Sequence, residues 1–120
     1  MKQTKSQMLI KEKKLAKKEL KRKEEEWKKT VKERDNYQDQ ITMEALNGRN
    51  CHVHHVLDKK NFPELRFDVM NGLVLSYRNH KVGKYAPHMN ALWFSQWFKT
   101  KFPERYHYLL QKCLERGMVI

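Results

Sequence analysis

Glycine, proline and histidine are distributed so unevenly that they divide the chain into two segments. Residues 1–33 contain none of these residue types, whereas residues 34–120 contain all four glycines, all three prolines and all six histidines. Lys, Glu, Leu, Ala and Gln dominate the first segment, and these are good helix formers. We therefore expect a helical arm over residues 1–33 and one small domain over residues 34–120, because a chain of this length favours a single core.

The positive charge of the chain is shared between both segments. The net charge is +12, and thirteen Lys and Arg against six Glu place +7 of it on residues 1–33. Glu and Lys four positions apart support an exposed helix there, but the apolar residues form no sustained heptad. A solvated helix and an arm that binds DNA or a phage protein are both open interpretations. The charge itself favours a polyanionic partner.

Composition also argues against membrane and secreted proteins. The sequence has no run of about 20 apolar residues, so we expect no membrane partner. We also expect no secretion signal, because no apolar region lies near its start. Cys51 and Cys113 form neither a disulfide framework nor a CxxC pair. These features favour a reducing cytoplasm.

Turn and strand signals after residue 34 predict an α+β fold. Asn47-Gly48 marks a turn before the strand-like run Cys51–Leu57, and Asn71-Gly72 marks a turn before the short apolar strand Leu73–Leu75. A short helix capped by Ser76 should follow and end at Gly83.

Two C-terminal helices complete the predicted architecture. Asn90 can cap a helix over 91–102, and Pro103 can begin a last helix that ends near Glu115. Trp27 and Val31 are expected to dock the arm on the domain. The other residues expected to face the core are Tyr37, Phe62, Leu73, Leu75, Leu92, Trp93, Phe94, and Trp97 or Phe98.

Five of the six histidines lie between residues 52 and 88. Imidazole can take a proton near neutral pH and can bind a transition metal. His54 and His55 are neighbours on the predicted strand, so their side chains point to opposite faces and cannot act in the same way. One should reach a metal, and His80, on the helix that folds back over the strand, should supply another ligand. His52 shares the face of His54, so a supporting role at the site is open, but a structural histidine is the preferred interpretation.

The order of these residues resembles the HNH nuclease motif of the ββα-metal superfamily. His54-His55 resembles the pair that ends the first strand of that family, and Asn71 resembles the asparagine before its second strand. His80, nine positions later, resembles the histidine of its helix. Flanking segments at 32–37, 63–68 and 87–97 are also similar, the last of them to phage-encoded members. The resemblance covers about residues 28–112 and implies a ββα-metal core that hydrolyses DNA.

The resemblance assigns a role to each matching residue. His55 would be the general base that removes a proton from water. His54 and His80 would bind one divalent ion, which could be Mg, Mn, Ni or Zn. Asn71 would stay off the metal, pin its loop and orient His55.

The third ligand departs from the family pattern. Some relatives place a histidine four residues after the helix histidine, where this chain has Lys84. His88 is the candidate for the third ligand or for a phosphate contact, and a histidine that fixes its loop or is merely exposed is the alternative. Two protein ligands with waters would also give a working site. Arg78, Lys81 and Lys84 form a basic cluster near His80 that is expected to bind DNA phosphates.

The segments that carry two zinc-binding CxxC pairs in many relatives correspond here to residues 39–42 and 76–79, which contain no cysteine. We therefore expect no structural metal. The expected function is that of an HNH endonuclease or nickase on double-stranded DNA, in the cytoplasm of a bacterial or phage-infected cell. The alternative is a non-catalytic DNA-binding or phage packaging accessory protein on the same fold.

Overall fold

The computed structural model describes residues 2–118. Within this range the chain forms three α-helices and a two-stranded antiparallel sheet. The α-helices are α1 (Lys5–Arg34), α2 (Ala91–Lys101) and α3 (Pro103–Glu115), and the strands are β1 (His52–His55) and β2 (Gly72–Leu75). A π-helical segment, Arg78–Val82, follows β2. The predicted α+β fold with a long N-terminal helix and two C-terminal helices is confirmed. No helix in the described part of the chain is long and apolar enough to cross a membrane.

The first two thirds of α1 is a solvated helix. Thr4 accepts a hydrogen bond from the Gln7 amide at 3.1 Å and donates one to the Gln7 side chain at 2.9 Å, which forms a capping box. Arg22 pairs with Glu19 at 2.7 Å and with Glu26 at 3.0 Å along the helix. Residues 2–23 are all exposed, so this part of α1 is held by local contacts alone.

The last turns of α1 dock on the sheet, as predicted. Trp27 is 3% exposed and Val31 is fully buried. The Trp27 indole N–H donates to the Asp68 carbonyl at 2.8 Å. Gly72 allows this close approach, because a Cβ there would lie 2.6 Å from the Val31 side chain. Glycine at the start of β2 is therefore needed for helix docking.

The sheet register sends the histidines of β1 to different faces. His54 pairs with Leu73, and His55 pairs with Gly72; directly opposite residues share a face. The Leu73 face packs against α2 and α3, and its core consists of Phe62, Leu65, Leu73, Leu75, Phe94, Phe98 and Leu109. The other face packs against α1, and its core consists of Trp27, Val31, Leu46, Cys51 and Val74.

Three details differ from the predictions. Leu92 is 76% exposed, because Phe94 and Phe98, four residues apart, form the buried side of α2. Tyr37 is 44% exposed and lies in a turn after α1 with a φ of 53°. The helix before Gly83 is a single π-helical segment, which the Gly83 amide closes on the Arg78 carbonyl at 2.6 Å.

The expected strand Cys51–Leu57 is shorter in the structure. The strand covers only His52–His55. The Val56 amide still bonds to the Asn71 carbonyl, in register with β2, and the Leu57 amide then bonds to the Asn71 side chain in place of a backbone partner.

A buried carboxylate joins residues 39–42 to residues 76–79, the two segments that lack the cysteine pairs of many HNH proteins. Asp39 is fully buried. One of its oxygens accepts from the Ser76 amide and the Asn79 side chain, both at 2.9 Å, and the other accepts from the Ile41 and Thr42 amides. Burial alone would raise the pKa of Asp39, but these hydrogen bonds hold it below its usual value. Asp39 thus fixes the chain that leads to His80.

Candidate metal centre

The structure brings together the three residues predicted to bind a metal. His54 comes from β1, His80 from the π-helical segment and His88 from the loop before α2. One potential ligand nitrogen from each ring lies within 4.8 Å of the other two. The ring centres are 5.0 Å apart for His54 and His80, 5.0 Å for His80 and His88, and 5.5 Å for His54 and His88.

Each of these histidines is held by its own local structure. His54 lies across from Leu73 and packs edge-on against Phe94, with 5.4 Å between the ring centres. The His80 amide bonds to the Ser76 carbonyl at 2.8 Å. The loop from 82 to 87 turns back at the buried Ala86, and this turn returns His88 to the sheet. Three segments that are distant in sequence therefore converge.

His52 contacts the cluster and fixes one of its rings. Its Nδ1 lies 3.1 Å from Nδ1 of His80, so one ring donates to the other. Nε2 of His80 has no hydrogen-bond partner among residues 2–118. The contact therefore leaves Nε2 of His80 available to a metal. The sequence left open that His52 supports the site, but alternation along a strand indicates only a shared face and does not predict this contact.

Desolvation favours the uncharged form of all three rings, although His54 and His80 are buried and His88 is exposed. It lowers the pKa of His54 well below 6.5 and that of His80 to about 3. It also lowers the pKa of His88, and Lys81 contributes to the lowering at all three sites. Neutral imidazole is the form that binds metal. The donor set thus fits one ion that accepts nitrogen ligands.

His55 lies on the other face of β1 but lines the same cavity of about 580 Å³. Its ring stacks on Trp27 with 4.2 Å between the centres and 15° between the planes. Its Nε2 donates to the Arg66 carbonyl at 2.9 Å, since a carbonyl can only accept. Burial lowers the pKa of His55, although this hydrogen bond opposes the shift. The neutral ring therefore has an unprotonated Nδ1, which can accept a proton.

Asn71 is fully buried and occupies the predicted supporting position. Its side-chain amide donates to the carbonyls of Leu57, at 2.9 Å, and Leu65, at 3.2 Å, and its side-chain oxygen accepts from the Leu57 amide at 2.7 Å. Asn71 therefore pins the loop that follows His55. The His55 ring itself is held by Trp27 and the Arg66 carbonyl, which sequence reasoning did not find.

The structure separates the predicted basic cluster. Lys81 lines the histidine cavity, together with Lys59, which sequence reasoning missed. Arg78 and Lys84 line a different cavity, which includes Glu44 and shares no lining residue with the first. Only one of the three predicted phosphate contacts thus borders the histidines.

Comparison of the chain with protein-family models, curated proteins and solved structures found no match.

Proposed function

We propose that the chain is a metal-dependent nuclease that hydrolyses phosphodiester bonds of DNA by HNH-type chemistry. The observation that carries this proposal is the convergence of His54, His80 and His88 in a cavity that His55 also lines. Three neutral nitrogen ligands beside a fourth histidine with a free nitrogen form a suitable site for hydrolysis of a phosphate ester.

His55 is the proposed general base. Its Nδ1 takes a proton from the attacking water, while its Nε2–H remains bonded to the Arg66 carbonyl. That bond stabilises the positive charge that the ring acquires, and the stacked Trp27 holds the plane of the ring. A divalent ion bound by the three other histidines would supply Lewis-acid stabilisation of charge on the phosphate. Imidazole ligands suit Zn or Ni better than Mg.

The charges around the cavity support a nucleic-acid substrate. Lys59 and Lys81 line it together with one carboxylate, Asp58, and cations beside a nuclease site position the phosphate backbone. Double-stranded DNA is the proposed substrate, and the exposed part of α1 is a proposed contact for a phage protein. A reducing cytoplasm is the proposed compartment, since Cys51 and Cys113 are both free.

Plasmid nicking tests the proposed function. The purified chain is incubated with supercoiled plasmid and Mg, Mn, Ni or Zn, and we expect nicking with at least one of these metals. His55→Ala should lower the rate by about 100-fold or more and leave metal affinity unchanged, whereas His80→Ala should reduce both. His107→Ala, which changes an exposed histidine of α3, is the matched control.

Two results would contradict the proposal. One is absence of nicking with all four metals, and the other is a His55→Ala variant that nicks at the parent rate. Salt-sensitive DNA binding without nicking would instead support the non-catalytic accessory protein.

A further inference from the structure

A second cavity adjoins the histidine cluster from the side of α1. Its volume is about 320 Å³. His80 and Val53 line both this cavity and the histidine cavity, so the two cavities adjoin at these residues. Among the described residues the lining is Lys28, Lys32, Cys51, His52, Val53 and His80.

Two unpaired cations face this cavity. Lys28 and Lys32 are one turn apart on α1, so they project from the same side of the helix. Both are half-buried, in contrast to every lysine before residue 24, which is exposed. No ion pair within residues 2–118 includes either of them. The nearby Glu24 faces Lys59 and Arg66 instead, at 4.0 and 3.9 Å.

This arrangement favours an anion in the cavity. Two lysines one turn apart repel each other, and neither forms an ion pair among the described residues. Within residues 2–118, no carboxylate lines the cavity to offset this repulsion. A bound anion would pair with both lysines, and His52, which lines the same cavity, has an Nε2 that the contact with His80 leaves unused.

We propose that Lys28 and Lys32 form a phosphate-binding subsite that holds the DNA backbone next to the phosphate cleaved at the histidine cluster. This inference rests on the proposed nuclease function. A DNA strand carries a phosphate on every nucleotide, so a phosphate bound at His80 has a neighbour within reach of the adjoining cavity. In this proposal the docked last turns of α1 bind the DNA backbone, and the exposed turns of α1 are not part of the subsite.

Duplex binding without metal tests the subsite. Anisotropy of a fluorescein-labelled 20-base-pair DNA is measured in EDTA with the full-length chain and with a K28Q/K32Q variant. We expect the variant to bind about 10-fold more weakly at moderate salt, with a slope of log K against log salt that is smaller by about 1 to 2. K28R/K32R should retain most of the affinity, because it keeps both charges.

The matched control is K13Q/K17Q, which removes two lysines one turn apart from the exposed part of α1. It should change affinity by less than about 2-fold, since neither lysine lines the cavity. Equal losses in the two double variants would overturn the subsite and indicate diffuse attraction to the whole helix. Parent-like binding by K28Q/K32Q would also overturn it.

Two further measurements separate the subsite from the nuclease proposal. Circular dichroism should show the parent fold and melting temperature for K28Q/K32Q, and a 10-fold rise in KM for nicking at unchanged metal affinity would support the subsite. If the parent chain binds the duplex but does not nick plasmid, the nuclease function is contradicted. The difference in duplex affinity between K28Q/K32Q and K13Q/K17Q then still decides whether the subsite exists. A parent chain that does not bind the duplex overturns the subsite as well.

Discussion

The His52 contact predicts a measurable change in metal affinity. Since His80 is expected to bind metal through Nε2, its Nδ1 must carry the proton and donate it to Nδ1 of His52, 3.1 Å away. His52→Ala removes this acceptor. The His80 ring would then be free to rotate and to change its tautomer, so fewer molecules would present an unprotonated Nε2 to the metal.

The size of the effect follows from the type of hydrogen bond. A neutral hydrogen bond contributes about 1 kcal/mol net, and loss of a partner that orients a ligating histidine weakens metal binding by about 10- to 100-fold. We expect a loss near 10-fold, because the acceptor is an uncharged imidazole. His52→Asn should recover most of the affinity, since its side-chain oxygen can accept at a similar position.

Competition titrations with Zn and a chelating dye, and the visible absorption of bound Co, measure this affinity directly. His107→Ala provides the control for loss of an exposed histidine. Melting temperatures in EDTA establish that each variant is folded before metal is added. The reasoning is refuted if His52→Ala binds metal as tightly as the parent, or if His52→Asn is no better than His52→Ala.

Three further predictions concern stability. Gly72→Ala should destabilise the fold by about 1–3 kcal/mol in urea unfolding, because its Cβ would overlap the Val31 side chain, 2.6 Å away. Asp39→Ala should cost about 3 kcal/mol or more in the same assay, because it leaves several buried amide donors without an acceptor. The melting temperature of the metal-free protein should fall from pH 7 to pH 5. The pKa of His80 is lowered to about 3 by burial, so the unfolded chain binds protons that the folded chain does not. Stability is then lost progressively as pH falls below 6.5, by about 1.4 kcal/mol per pH unit for such a group.

Control variants accompany the two substitutions, and a contrary result is defined for Asp39→Ala and for the pH dependence. Gly117→Ala tests the general effect of adding a methyl group where the structure has open space, although its φ of 80° makes some strain there independent of contacts. For the carboxylate, Asp68→Ala removes a less buried acid, and an equal loss would contradict a special role of Asp39. A melting temperature that is constant from pH 7 to pH 5 would contradict a neutral, buried His80.

Periodicity and capping chemistry were enough to predict the helices. Residues 1–33 lack helix breakers, Asn90 caps α2 through its bond to the Trp93 amide, and Pro103 begins α3. Turn signals also located both strands to within a few residues. These features depend on local preferences, so they can be read directly from the chain. The prediction of which residues face the core was less accurate, as the exposed Leu92 illustrates. A helix with apolar residues on several sides does not reveal from its sequence which side is buried.

The sequence by itself determined which residues are available for the candidate site, namely a pair of adjacent histidines, Asn71, His80 and His88. Only the tertiary structure decided their environment. It placed His52 against His80, held His55 between Trp27 and the Arg66 carbonyl, and separated Lys81 from Arg78 and Lys84. These contacts join residues far apart in the chain, and they depend on how helices pack on a sheet. Local sequence patterns carry no information about such long-range distances, because many packings bury the same apolar stripe.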